Sequence, residues 1–160
     1  MIVQVAQEGD YAAWLRLAGE VEALFGPMVG VTEFEQTLMK NLRRGTALCV
    51  REGDGEAGTD LLGGLFFSAK PPMYKISWLA VTQKYRRQGV GQALVEAFLE
   101  GVTPPAELVV TTFSAEMEGG EPARRFYHKL GFHEAEVVYH DYRGKMEAYQ
   151  VFRRRYEGTR

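Results

Sequence analysis

The chain has 160 residues, 46% of them apolar and 25% charged, which is ordinary for one globular domain with a sizeable core. Its formal net charge of −2 argues against a general nucleic-acid binder, which carries a basic surplus. A single cysteine excludes an internal disulfide and a cysteine-based metal site, and no apolar run approaches the ~20 residues that cross a bilayer.

In chain order, residues 2–6 alternate weakly and read as a short strand. Asp10 is placed to cap a helix whose stripe is Tyr11, Trp14, Leu15, Ala18, Val21, Leu24 and Phe25, ended by Gly26-Pro27. Thr32 with Glu35 forms the pattern of a capping box before a second amphipathic helix through Phe34, Leu38, Asn41 and Leu42, with Gly45 just past its end. "TALCV" and "LLGGLFFS" read as strands around a polar loop, "REGDGEAGTD", and Cys49 reads as a small buried hydrophobe. Pro71-Pro72 breaks the chain before "YKISWLAV", whose apolar second half predicts a central strand buried on both faces.

Val90, Leu94, Val95, Phe98 and Leu99 make the next helical face, closed by Pro104-Pro105, and "ELVVTTF" is another central strand. Pro122 suits the first turn of a helix carrying Ala123, Phe126, Tyr127 and Leu130, which Gly131 terminates. "FHEAEVVYH" and "KMEAYQVFRR" flank "DYRG" as a hairpin. The order β-α-α-β-β-β-α-β-α-β-β, without repeat or linker, predicts one mixed α/β domain over residues 1–160.

Chemistry concentrates in "WLAVTQKYRRQGVGQALVEAF", where a strand runs through a short basic turn into a helix that opens on glycines. The first turn of a helix has unpaired N–H groups and partial positive charge, and so attracts phosphate. Gly89 and Gly91 let the backbone approach a pyrophosphate, and Arg86 adds countercharge. A P-loop is excluded, because Gln92-Ala93 follows Gly91 where Lys-Ser/Thr is required. A dinucleotide fingerprint is excluded as well, because Leu94 stands where its third glycine belongs.

Arg86-Arg87-Gln88-Gly89-Val90-Gly91 resembles the acyl-CoA loop of the GCN5-related N-acetyltransferase (GNAT) family, Arg or Gln, two residues, Gly, one residue, then Gly or Ala. "ARRFYHKLGF", residues 123–132, is similar to that family's C-terminal signature, and the order of elements extends the resemblance over nearly the whole chain. The resemblance implies an acyl-CoA N-acyltransferase fold with splayed fourth and fifth strands. It implies acetyl-CoA as co-substrate, with Leu79, Ala80 and Val81 meeting pantetheine and thioester. The amides of Arg87, Gln88, Gly89, Val90, Gly91 and Gln92, with Arg86, would hold the pyrophosphate. It gives the backbone at or near Val81 an oxyanion contact and Tyr127 the role of general acid, although Tyr127 also falls on the apolar stripe of its helix.

Many members carry Asn seven residues before the tyrosine, where its amide contacts the cofactor; this chain has Gly120. Glu116 is a candidate base and Glu118 an alternative, both with the plain reading of surface acids, and no His/Asp/Glu cluster has metal spacing. The expected reaction is direct attack of an amine, from a small molecule or a protein, on acetyl-CoA. The alternative is a non-catalytic acyl-CoA-binding module. No nucleic acid or membrane is expected as a partner, a cytoplasmic location follows by default, and a homodimer is compatible with the resemblance. Trp14, Phe25, Phe34, Tyr139 and Tyr142 are the aromatics nominated for the acceptor side.

Overall fold

Apolar periodicity and the Gly and Pro breaks place the elements in the expected order in a computed structural model, which describes residues 1–142 and 144–158. They are β1 (Val3–Val5), α1 (Tyr11–Phe25), α2 (Thr32–Arg44), β2 (Ala47–Arg51), β3 (Leu61–Lys70), β4 (Met73–Val81), α3 (Val90–Glu100), β5 (Ala106–Phe113), α4 (Glu121–Lys129), β6 (His133–Tyr142) and β7 (Lys145–Tyr156). The strands are hydrogen-bonded in the order β1-β2-β3-β4-β5-β7-β6, with β4 and β5 parallel. This is the mixed α/β sheet predicted from the sequence.

Two compact units divide the chain, Met1–Ser68 with Ser77–Val102, and Ala69–Ile76 with the chain from Thr103 onward. In the first, β1, β2 and β3 pair antiparallel. Successive strand residues face opposite sides of a sheet, and the Gly63-Gly64 pair of β3 uses this to admit a helix on each. A Cβ at Gly63 would stand 2.7 Å from Val90 of α3, and one at Gly64 would stand 2.7 Å from two ring carbons of Trp14 on α1. Trp14, fully buried, joins Phe66, Phe34 and Trp78 in an aromatic core, with Phe66 and Trp78 stacked at 5.9 Å. Gly64→Ala is therefore expected to lower stability by about 1–3 kcal/mol through overpacking. A urea midpoint equal to that of the wild type would exclude this close approach.

Several local expectations are corrected. Asp10 holds the cap position of α1 but its side chain makes no cap bond: a 3-10 turn over Glu8–Asp10 precedes the helix, so Asp10 is already helical at φ −87° and ψ −3°. Its carboxylate turns inward, accepting from the N–H groups of Gln7 (2.9 Å) and Gly58 (3.2 Å) and from Nε (3.0 Å) and Nη2 (2.6 Å) of Arg51. The Thr32–Glu35 box does not form, because Val31 holds the cap position and Thr32 is the first helical residue. Glu35 instead accepts from the Gly30 N–H at 2.6 Å and the Tyr11 hydroxyl at 3.1 Å. Gly45 behaves as expected, ending α2 at φ +76°.

The expectation that β4 is buried on both faces also fails. Tyr74, Ile76 and Ala80 are buried, while Trp78, Leu79 and Val81 stay half-buried and Met73, Lys75 and Ser77 are exposed. Cys49 is buried, as predicted, and burial pushes its thiol up to about 11.

The second unit pairs Met73–Ile76 of β4 in parallel with Glu107–Val110 of β5, which pairs in turn with β7, and β7 with β6. Both β4 and β5 run on past this ladder, to Val81 and Phe113. Arg143 of the "DYRG" turn and the side chain of Tyr142 lie outside the described residues; Gly144, at φ +81°, donates to the Asp141 carboxylate at 2.8 Å. No helix among the described residues is long and apolar enough to cross a membrane.

Candidate functional site

β4 delivers the basic segment to the start of α3. After Val81 the chain makes a 3-10 turn, Gln83–Tyr85, then passes Arg87 at φ +64° and Gly89 at φ +84° before the helix begins at Val90. Glycine takes the left-handed backbone at position 89 freely, whereas Arg87 holds it at a cost of about 1 kcal/mol or more, strain of the kind that gathers at functional loops. Val90, Leu94, Val95 and Phe98 are buried and fix the helix to the sheet.

The consequence for the backbone is a run of free donors. Among the described residues, the N–H groups of Arg87, Gln88, Gly89, Val90, Gly91 and Gln92 find no protein acceptor; the Gly89 carbonyl takes the first helical bond, from Ala93 at 2.9 Å. Lys84, Arg86 and Arg87 are exposed beside them. None of the three has an acidic partner among the described residues. Six donors, a helix N-terminus and unneutralised cations have the chemistry that suits an anion.

The strand end adjoins this loop. Arg86 Nε donates to the Val81 carbonyl at 3.3 Å, and the Thr82 N–H donates to Leu62 of β3 at 2.8 Å. Backbone groups alternate along an extended strand, so Val81 turns its own N–H and C=O to the edge away from β3. Leu79, Ala80 and Val81 thus lie in the same unit as the loop from Arg86 to Gln92.

In the other unit, Tyr127 sits on the inner face of α4. Its ring packs against Phe126, Phe132 and Phe152 at centroid distances of 5.2, 5.7 and 6.2 Å, and its side chain is only 5% exposed. The hydroxyl bonds to no described residue, yet it is not sealed in, because among the described residues only Trp14 Nε1 is a fully enclosed side-chain polar atom without a partner. Burial pushes the phenol well above its ordinary value near 10 and keeps the proton on. Glu116 and Glu118 are exposed in the loop between β5 and α4. Among the described residues, no group of His, Cys, Asp and Glu could hold a metal ion.

The acceptor-side aromatics separate. Trp14 and Phe34 belong to the core, because the helices carrying them turn their apolar stripes onto β3 and β4. Tyr139 is exposed on β6. Sequence reasoning missed Arg124, whose Nη1 donates to the Ser114 carbonyl at 2.7 Å; its position four residues after the unusual Gly120 was the available signal.

Residues 43–134, which include both the basic loop and α4, match the model of an acetyltransferase (GNAT) domain. The fold is similar to that of ribosomal-protein-S18-alanine N-acetyltransferase from Escherichia coli, with a TM-score of 0.72 and 18% identity over 99% of this chain and 95% of that one. NAA60 of Arabidopsis thaliana, solved with a bisubstrate analogue, is similar at a TM-score of 0.72 and 15% identity, over 98% of this chain and 99% of that one. A GNAT-family acetyltransferase from Bacillus cereus follows at 0.71 and 16%, with 96% of each chain covered. At such identities the likeness is one of fold. No curated protein matches the sequence.

Proposed function

Because this chain belongs to the GNAT acetyltransferase family, we propose that it moves the acetyl group of acetyl-CoA to an amine by direct attack, its two units serving as one domain. The observation that carries this reading is the run of six free N–H donors from Arg87 to Gln92, which suits a pyrophosphate. Complexes of NAA60 from Arabidopsis thaliana with acetyl-CoA and with a bisubstrate analogue support the same co-substrate here.

In this reading Leu79, Ala80 and Val81 bind pantetheine and thioester, and the outward N–H of Val81 steadies the oxyanion. The neutral amine nitrogen attacks the thioester carbonyl, the carbon–sulfur bond breaks, and Tyr127 gives its proton to the departing thiolate. The amine's own proton passes to a base, for which exposed Glu116 is the candidate on the loop before α4.

Titration with acetyl-CoA followed by free-thiol release over a broad panel of amines, amino acids and peptide N-termini tests the proposal. Saturable binding with amine-dependent release is the expected result. Binding with no release on any amine would make the chain an acyl-CoA-binding module instead.

A further inference from the structure

Gly120 and Arg124 lie one turn apart at the start of α4 and share one space. A Cβ at Gly120 would stand 2.4 Å from Phe113 Cβ and 2.9 Å from Arg124 Nη1. An asparagine does not fit where this chain has glycine, and the guanidinium occupies the room beside it. Its bond goes to Ser114, a buried residue directly after β5, whose carbonyl also accepts from the Met117 N–H at 3.1 Å. The arginine cation therefore ties the first turn of α4 to the end of β5, and a charged donor makes the stronger kind of hydrogen bond.

Tyr127 follows three residues later, on the same face of the helix. Its hydroxyl has no protein partner among the described residues, so the place of that oxygen depends on ring packing and on where α4 is held. We propose that Arg124 is a positioning residue for Tyr127, with Gly120 as the companion that makes room for it. The inference rests on the reading of Tyr127 as the acid.

The test measures kcat, KM for acetyl-CoA and thermal unfolding for Arg124→Met and Arg124→Lys, each alone and with Tyr127→Phe. Methionine keeps an apolar stem and loses the donor; kcat is expected to fall about tenfold, as small misplacements of reacting groups do, with KM changed by less than about twofold. Lysine, which still donates to the carbonyl, restores most of kcat. With Tyr127→Phe present, the methionine substitution has no further effect, since there is no hydroxyl left to misplace.

An equal fall in both backgrounds, or an unchanged kcat in the folded methionine variant, would overturn the proposal. If the methionine variant does not fold, Arg124→Leu, which also lacks the donor, takes its place in the same cycle, and a fall in kcat of equal size in both backgrounds overturns the proposal. Tyr127→Phe alone with unchanged kcat removes the acid reading itself, a failure visible without any Arg124 variant.

Discussion

Tyr127→Phe is expected to lower amine-dependent kcat by about 10²-fold or more, the range in which a general acid contributes, while leaving acetyl-CoA affinity unchanged. The substitution is clean. The ring contacts to Phe126, Phe132 and Phe152 are kept, and the hydroxyl bonds to no described residue, so no partner is orphaned. Folding stability should therefore stay near that of the wild type, and any loss of rate is chemical. Burial holds the phenol above its ordinary value near 10, so it remains a donor through neutral pH and adds no fall in rate there. Unchanged turnover in the phenylalanine variant would reduce Tyr127 to a packing residue.

Asp10→Ala is expected to cost about 3–5 kcal/mol, the range for breaking one side of a buried ion pair. Asp10 is 0% exposed and Arg51 is buried as well. Removing the carboxylate leaves the guanidinium inside with, among the described residues, only the Gln4 side chain and the Gly55 carbonyl as oxygen acceptors. Replacing both residues, with Asp10→Leu and Arg51→Met, should recover much of the loss, since no charge is then stranded.

Acid gives a second readout. Burial alone would raise the Asp10 carboxyl, but the Arg51 hydrogen bonds and the Gln7 and Gly58 amides outweigh it and hold the group below 3.8. A depressed carboxyl stabilises the fold above its unfolded value, and that contribution disappears as pH falls through the folded value. The gap between wild type and Asp10→Ala should accordingly narrow below about pH 4. A gap that stays constant into acid would mean that the pair is not the source of the difference.

The elements were legible because each carries a local signal. Helical stripes, Gly and Pro breaks and the Pro122 start all depend on residues within a few positions of one another. The basic loop was legible for the same reason, since glycine spacing and the following helix are local and their backbone consequence is local too. Asp10 shows where this stops. A polar residue before an apolar stripe reads as a cap, and nothing near it announces that its partner is Arg51, 41 residues on. Arg51 itself read as the start of a polar loop, yet folding buries it because β2 brings it to Asp10. Gly120 looked like a missing cofactor contact, and only the packed space beside Phe113 gives it a reason.

By itself the sequence determined the order of strands and helices, their mixed α/β class and the glycine-bearing segment whose backbone N–H groups stay free, all consequences of short-range periodicity and backbone geometry. The tertiary structure alone decided which charges are buried, which aromatics are core, which strand face stays open and which side chain holds α4 in place. Those depend on residues far apart in the chain meeting in space, where burial and partner rather than residue type set the energy.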